Sequence, residues 1–199
     1  MHEIERRFFP NDDARTWPTF LQHHDPQNTV RIEQAYIPRF RILRDHKTLQ
    51  LPDRTKVRCP YTIPKDAHIN TFRVRESIYF RNRVEEVRHQ ITLKGPKNAE
   101  GMGVEIEWDI ADTHPIIAIA DASPWKITKT RYTHPLTING KDYHAEIDLF
   151  LPKNEKTHPP VRCIIEVENL PMNAIYLPNW FGEEITASNK WSNLRLAKA

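Results

Sequence analysis

Pairs of like-charged residues, two positions apart and separated by apolar residues, recur in several distant segments of this chain. Arg73 and Arg75 flank Val74, and Glu105 and Glu107 flank Ile106. In a β-strand, residues two apart share a face, so each segment places like charges side by side on one face and apolar side chains on the other. Such a face is unstable unless opposite charges or bound ions neutralise it. The pattern therefore favours a sheet with one charged and one apolar face.

The alternation and the β-branched content predict eight strands. We expect them at residues 2–8, 30–37, 71–80, 88–95, 103–110, 126–133, 143–151 and 161–168. Asn139 and Gly140 stand between two alternating runs and predict a tight hairpin. Helices are predicted from about Asp12 to Leu21, after Asp112, near 172–183 and at the C-terminus. The expected fold class is mainly β, in one domain spanning residues 1–199.

Alternating charges also mark the solvent face of ordinary sheets, and a single Glu-x-Glu is weak evidence. Here, however, the pairs are sorted as acid with acid and base with base, whereas a solvated face normally mixes the two signs. A closed eight-stranded antiparallel barrel with a few flanking helices would direct these charges into one lumen. Its carboxylates would be Glu3, Glu5, Glu105, Glu107, Glu146, Asp148, Glu166 and Glu168, and its cations Arg7, Arg73, Arg75, Lys94, Lys129, Arg131 and Lys190.

A lumen of this composition requires partners for its charges. Two like charges 4 Å apart repel by roughly 4 kcal/mol at an effective dielectric of 20, so acids and bases must interleave or ions must fill the space. Two divalent cations and one triphosphate would nearly balance the set. Because the candidate ligands are all carboxylate oxygens, Mg²⁺ or Mn²⁺ fits better than zinc.

The overall charge is modest, since 29 Lys and Arg stand against 26 Asp and Glu, for a net +3. This argues against a nonspecific nucleic-acid binder, whose basic field is usually global. No apolar run is long enough to cross a membrane, and the N-terminus resembles neither a signal nor a transit peptide, so we expect a cytoplasmic protein. Cys59 and Cys163 belong to no CxxC pattern, which argues against a zinc site or a disulfide framework.

Residues 38–70 form a long basic insertion between two predicted strands. The segment contains eight Lys and Arg but only three Asp. Long excursions between strands are uncommon unless they are functional or flexible. The sequence leaves two interpretations open: a solvated basic loop, or an extra hairpin, lid or partner-binding arm.

Taken in order, the charged motifs resemble those of the CYTH superfamily, the triphosphate tunnel metalloenzymes, and in particular the small bacterial tripolyphosphatase-like branch. The opening Glu3-Ile4-Glu5-Arg6-Arg7 resembles the ExExK signature, with Arg7 where the signature has Lys. Similar motifs follow at Gln34-Ala35-Tyr36, Arg73-Val74-Arg75, Thr92-Leu93-Lys94-Gly95, Glu105-Ile106-Glu107, Lys129-Thr130-Arg131, Glu146-Ile147-Asp148, Glu166-Val167-Glu168 and in the tail from Pro178 to Ala197.

The resemblance implies roles for the lumen residues. The phosphate track would comprise Arg7, Arg73, Arg75, Lys94, Lys129 and Arg131, closed from the tail by Lys190. One metal would be held among Glu105, Glu107, Asp148 and Glu168. A second, which delivers a water, would be held by Glu3 and Glu5 with Glu166 or Glu168, and Glu146 completes the acidic set. The catalytic group would be Glu3, Glu5, Arg7 and Lys94.

The function implied by the resemblance is metal-dependent hydrolysis of a linear triphosphate, such as tripolyphosphate or ATP. Two alternatives remain at this stage. One is an adenylate cyclase built on the same tunnel, which would form cyclic AMP and pyrophosphate. The other is a protein that binds a triphosphate, or the 5′-triphosphate end of an RNA, without cleaving it. A homodimer is also expected, because the predicted helices are too few to cover the apolar outer faces.

Overall fold

The computed structural model describes residues 5–11, 29–81, 84–96, 103–152, 161–174, 176–186 and 188–198. Glu3, the start of the predicted strand 2–8 and the predicted helix between Asp12 and Leu21 lie outside these residues. The described chain is mainly β, as expected. No helix in this part of the chain is long and apolar enough to span a bilayer.

The strands, in chain order, are β1 (Glu5–Pro10), β2 (Thr29–Tyr36), β3 (Arg41–Ile42), β4 (Thr48–Gln50), β5 (Lys56–Arg58), β6 (Thr71–Arg81), β7 (Val84–Lys94), β8 (Glu105–Ile110), β9 (Lys126–Ile138), β10 (Lys141–Phe150), β11 (Cys163–Glu168) and β12 (Phe181–Glu184). Two short α-helices, α1 (Ile116–Asp121) and α2 (Asn193–Lys198), and a 3₁₀ turn at Asn189–Trp191 complete the elements. All eight predicted strands are present, with ends shifted by a few residues.

Nine of the strands form one antiparallel sheet in the order β12-β1-β11-β10-β9-β2-β6-β7-β8. No ladder among the described residues joins β8 to β1 or β12, so closure of the sheet into an eight-stranded barrel stays a prediction. The sheet nevertheless curls. Glu5 of β1 acts electrostatically on Lys94 of β7, and Glu146 of β10 acts on Arg75 of β6. The charged face is therefore concave, and its side chains share one interior.

The predicted hairpin is confirmed at Asn139 and Gly140, which join β9 to β10. Both residues have positive φ, 53° and 74°. This conformation matches the right-handed twist of the flanking strands in a two-residue turn. The turn fixes the register that places Arg131 opposite Asp148.

Apolar side chains of β1, β9, β10 and β11 form the outer face of one half of the sheet. The segment 169–181 covers them with Leu170, Ala174, Leu177, Trp180 and Phe181. The helix predicted near 172–183 is therefore wrong: this segment is irregular and ends in β12. Trp180 packs the tail against the sheet, as its place in the tail motif predicts.

The insertion covers the outer face of the other half. Strands β3, β4 and β5 form a small sheet of their own. Leu49 and Val57 of this small sheet, with Ile63 of the loop after it, are buried and pack with Phe72 and Trp108 of the large sheet. Helix α1 contributes to the same cluster. The chain thus covers both outer faces without a second subunit, so the reason given for a homodimer no longer applies, and the oligomeric state stays a prediction.

Helix α2 lies against the inner face at one end of the large sheet. Leu196 and Ala197 are buried in a cluster with Tyr36, Ile127, Phe150 and Ile164. Phe9 and Trp191 pack on the same cluster, with ring centroids 5.3 Å apart. The C-terminal segment therefore fills the interior at this end, next to the charged residues.

Candidate functional site

The interior contains a dense ion cluster on β9, β10 and β11. Asp148 and Lys129 are both 0% exposed and form an ion pair. Arg131 donates from Nε to Asp148 Oδ1 at 2.7 Å and from Nη2 to Glu166 Oε2 at 3.0 Å, and it also pairs with Glu146. Each cation of this cluster is thus matched by at least one carboxylate.

Burial and the neighbouring opposite charges shift the pKa values of this cluster in opposite directions. Burial raises the pKa of Asp148, but Arg131 and Lys129 outweigh it and hold that pKa well below its usual range. Burial, reinforced by Arg131, lowers the pKa of Lys129 to about 8 although Asp148 opposes the shift. Burial, together with Glu166 and Asp148, raises the pKa of Glu146 above its ordinary value. Burial is thus the main reason why the Glu146 carboxyl holds its proton more readily than an exposed glutamate, although Arg131 opposes the shift.

A second cluster joins β6, β7 and β8. Arg73 donates from Nη2 to Thr92 Oγ1 at 2.8 Å and to Glu107 Oε2 at 3.2 Å. Lys94 pairs with Glu105 at 2.7 Å. Arg73 is 5% exposed, and its Nε is a buried donor with no partner in the structure. An unsatisfied buried donor on a guanidinium is costly, which indicates a place for an acceptor that the protein itself does not supply.

Arg75 lies next to this cluster and differs from the other interior cations. Its side chain meets the amide of Gln34, whose oxygen accepts from Nε and Nη2 at 3.1 and 3.2 Å when it is turned toward the guanidinium. Among the described residues, no carboxylate lies within ion-pair distance of Arg75. Burial, together with the nearby Arg73 and Arg131, lowers its pKa to about 10 against the opposing charges of Glu107 and Glu146.

Three interior residues were not among the predicted site residues: Gln34, Tyr36 and Thr92. Thr92 bridges Arg73 and Glu107, donating to Glu107 Oε2 at 2.7 Å. Burial raises the pKa of Tyr36 to about 12 against the opposing charges of Arg73 and Arg75. The spacing along the strands could have identified them, because residues two apart share a face. Thr92 is two residues from Lys94 on β7, and Gln34 and Tyr36 are two apart on β2.

Arg7 reaches the C-terminal segment. Its Nη1 donates to the Trp191 carbonyl at 3.2 Å and its Nη2 to the Ser188 carbonyl at 3.0 Å, while Nε lies 3.5 Å from Glu5. Arg7, which was predicted to bind phosphate, thus donates two of its hydrogen bonds to the C-terminal segment. The predicted closing residue, Lys190, is exposed, with Nζ 4.4 Å from the ring centroid of Trp191.

Five of the predicted carboxylates lie on the wall formed by β1, β10 and β11, whereas Glu105 and Glu107 lie on β8. Glu5 is paired in register with Glu168, and Glu146 with Glu166. Side chains directly opposite each other on one face lie about 5 Å apart, so two pairs of like charges face each other here. Glu146 and Glu168 also line a cavity of about 450 Å³. No group of three or more described Asp, Glu, His or Cys side chains is arranged to hold a metal ion.

Comparisons with known proteins give only distant similarities. No family model and no curated protein matches the chain. The inorganic triphosphatase NE1496 has a solved structure that is 23% identical, with a TM-score of 0.49, covering 100% of this chain and 96% of that one. A second structure of NE1496, described as a hypothetical protein, is 22% identical with a TM-score of 0.48, covering 99% and 98%.

The PH1819 protein from Pyrococcus horikoshii OT3 is 19% identical with a TM-score of 0.48, and the match covers 85% of this chain and 78% of that one. At identities below 25% and TM-scores below 0.5, these similarities assign neither a family nor an activity to this chain. The resemblance to the CYTH superfamily therefore stays a resemblance of motifs.

Proposed function

We propose that this protein binds a linear triphosphate on its concave charged face and hydrolyses a phosphoanhydride bond with the help of a divalent cation. The observation that carries the proposal is the neighbouring pair Arg73 and Arg75 on β6. Arg73 has a buried donor without a partner, and Arg75 meets an amide instead of a carboxylate. Two adjacent guanidinium groups with spare donors fit phosphate oxygens, which they meet in a fork.

The remaining interior cations support these two. Lys94 is partly exposed beside Glu105, so it extends the positive strip along β7. Lys129 and Arg131 are held by Asp148, and they add positive potential behind the strip rather than free donors. In this arrangement Arg73, Arg75 and Lys94 contact the phosphates, and Lys129 and Arg131 act through space.

The acidic wall fits a divalent cation. Its facing pairs, Glu5 with Glu168 and Glu146 with Glu166, place like charges close together, and burial, reinforced by Glu166, raises the pKa of Glu146. Arg131 contacts Glu146 and Glu166, and no three of the described carboxylates surround a metal position as they stand. We therefore assign a cation to Glu5 and Glu168, with Glu146 and Glu166 joining them when they turn away from Arg131. Bound Mg²⁺ or Mn²⁺ would neutralise phosphate charge and lower the pKa of an attacking water. Asp148, predicted as a ligand, has both oxygens engaged by cations, and we assign it to positioning Lys129 and Arg131.

Arg7 has a different role from the Lys of the family signature. A guanidinium stays protonated at neutral pH, so Arg7 does not exchange a proton. Its two bonds to tail carbonyls hold the C-terminal segment at the end of the charged face. We therefore assign Arg7 to positioning the tail, and we assign the orientation of the phosphates to Arg73 and Arg75.

The proposal is tested by phosphate release from tripolyphosphate with Mg²⁺ or Mn²⁺, in the wild type and in Glu5→Gln. We expect release by the wild type and a loss of at least a hundredfold in the variant. Glu86→Gln is the matched control, because Glu86 is exposed and pairs with Arg88 at the surface. Equal rates in wild type and Glu5→Gln would refute the mechanism, and cyclic AMP with pyrophosphate as products of ATP would replace hydrolysis by cyclisation.

A further inference from the structure

The solvent face of the insertion is strongly cationic. In the small sheet Arg41 pairs in register with Gln50, which pairs with Lys56, while Thr48 pairs with Arg58. The opposite face contains the buried Leu49 and Val57. Alternation along each strand therefore sends the apolar residues into the core and places three cations, Arg41, Lys56 and Arg58, together toward solvent. The Asp45 carboxylate lies near Arg58 on this face.

The insertion's own acids neutralise little of this charge. Asp45 accepts from the Lys47 and Thr48 backbone N–H groups at 3.0 and 2.9 Å and from the Thr48 hydroxyl. Asp53 accepts from the Thr55 backbone N–H at 2.9 Å and from its hydroxyl at 2.8 Å. Both carboxylates thus stabilise turns between strands of the small sheet. Within the described residues they form no ion pair with an arginine of the insertion.

Three arginines of the insertion converge on one cavity of about 390 Å³, lined by Arg39, Phe40, Arg41, Gln50, Leu51, Pro52 and Arg54. Arg41 donates from Nε to Gln50 Oε1 at 2.8 Å. Arg39 and Arg54 are exposed and have no carboxylate within ion-pair distance among the described residues. Two guanidinium groups without a carboxylate partner therefore lie beside a third around one open cavity.

We propose that this cavity is a second phosphate-binding site, separate from the charged face of the large sheet, that takes a compact oligophosphate group. Guanidinium forks match phosphate oxygens, and this open cavity of about 390 Å³ has room for one or two phosphate groups beside its arginines. The group is free inorganic oligophosphate or the phosphate moiety of a nucleotide. The site does not depend on hydrolysis in the interior.

The backbone at Arg54 is consistent with a role for its side chain. Arg54 has φ of 70°, a conformation that glycine adopts without strain and that costs energy for other residues. Its N–H donates to the Leu51 carbonyl at 3.0 Å, which holds the tight turn before β5. Glycine would adopt this conformation at lower energy, so the presence of arginine at position 54 is consistent with a function of its side chain.

The test is titration of the ¹⁵N-labelled full chain with pyrophosphate at 0.15 M salt, without divalent metal, following the arginine side-chain Nε–H signals by NMR. Loss of one signal in each of Arg39→Gln and Arg54→Gln assigns the two residues. We expect both signals to shift and saturate in the wild type and equally in Arg75→Gln, which separates this site from the interior. Arg44, exposed elsewhere in the insertion, is the internal reference and should move little.

The double variant Arg39→Gln/Arg54→Gln should bind pyrophosphate at the insertion at least tenfold more weakly, as read from the Arg41 signal. Arg44→Gln/Lys65→Gln removes the same charge outside the cavity and should change binding less than twofold. Adenosine diphosphate binding tighter than pyrophosphate would identify a nucleotide as the source, and equal binding would identify free oligophosphate. Linear shifts that match those of Arg44, or saturation by a short RNA but not by pyrophosphate, would overturn the proposal.

Discussion

Arg131 and Arg75 lie on the same concave face but in opposite electrostatic surroundings. Arg131 contacts three carboxylates, those of Asp148, Glu146 and Glu166. Arg75, two strands away in the sheet, meets the Gln34 amide and has no carboxylate within ion-pair distance among the described residues. A buried charge paired within the protein contributes to structure, whereas a buried charge without a close counter-ion is a candidate ligand contact. The comparison separates the supporting half of the site from the binding half.

Breaking the supporting half should have the largest effect. Asp148→Asn leaves Lys129 and Arg131 buried with one carboxylate fewer, and removing one partner of a buried pair costs about 3–5 kcal/mol. Urea unfolding followed by circular dichroism measures the loss. Glu86→Gln, at an exposed pair, should cost below about 1 kcal/mol. Similar stabilities of the two variants would contradict the structural role given to Asp148.

A substitution in the binding half should leave the stability nearly unchanged and weaken ligand binding. Arg75→Gln removes a charge without a carboxylate partner, so the free energy of unfolding should change by less than about 1 kcal/mol or increase. Binding of tripolyphosphate should weaken by about 1.5–3 kcal/mol, the contribution of a charged hydrogen bond, which is at least tenfold in Kd. Calorimetric titration without metal measures it, with Arg44→Gln as control. If Arg75→Gln lost stability but kept its affinity for tripolyphosphate, Arg75 would have a structural role and the proposed binding role would be wrong.

A smaller effect is expected at Arg7. Arg7→Lys restores the residue of the family signature, but an ammonium group does not reach both the Ser188 and Trp191 carbonyls in the geometry of a guanidinium fork. Losing one hydrogen bond costs about 1 kcal/mol, so local opening of residues 188–198 should increase roughly fivefold. Amide hydrogen exchange of this segment measures the change, and Lys190→Gln, at an exposed residue, provides the control. Unchanged exchange in Arg7→Lys would remove the positioning role.

The smallest effect concerns pH. The pKa of Lys129 is lowered to about 8 by burial, so one positive charge leaves the interior as the pH rises through that value. Tripolyphosphate binding should weaken by less than about 1 kcal/mol. Between pH about 8 and the unfolded value near 10.4 the unfolded state binds more protons, so this residue's contribution to the free energy of unfolding increases with pH.

The pH prediction is checked by measuring Kd at pH 7 and pH 9 in the wild type and in Lys129→Arg, whose guanidinium stays charged. The difference between the two profiles isolates Lys129 from any titration of the phosphate itself. Parallel profiles would show that Lys129 keeps its proton over this range.

The sequence predicted which residues share the charged face but not how they pair. Spacing by two fixes the face of Arg73, Arg75 and Glu107, because alternation along a strand is geometric. It does not fix partners, so the metal role predicted for Asp148 did not include the two cations, Lys129 and Arg131, that contact its oxygens in the structure. Partner choice depends on the register between distant strands, which one sequence specifies only where a tight turn such as Asn139-Gly140 sets it.

The covering segments were harder to predict for a different reason. Leu49 and Val57 form a small core hidden within a segment whose composition is dominated by Lys and Arg. In the tail, Ala174, Leu177 and Phe181 have helical spacing, yet Pro178 interrupts the run and the segment packs in irregular form. In both places packing against the apolar outer face of the large sheet determines the conformation of the segment, and local sequence preference does not.

Strand β1 has consequences for how this chain reaches its fold. It pairs only with β11 and β12 among the described strands, and Arg6 bonds Glu184, 178 residues away. During synthesis β1 therefore stays unpaired until its partner strands β11 and β12 have emerged from the ribosome. Folding rates fall as contacts span more of the chain, so we expect slow and late docking of β1, with a long interval in which its edges are open to chaperones or to misassociation.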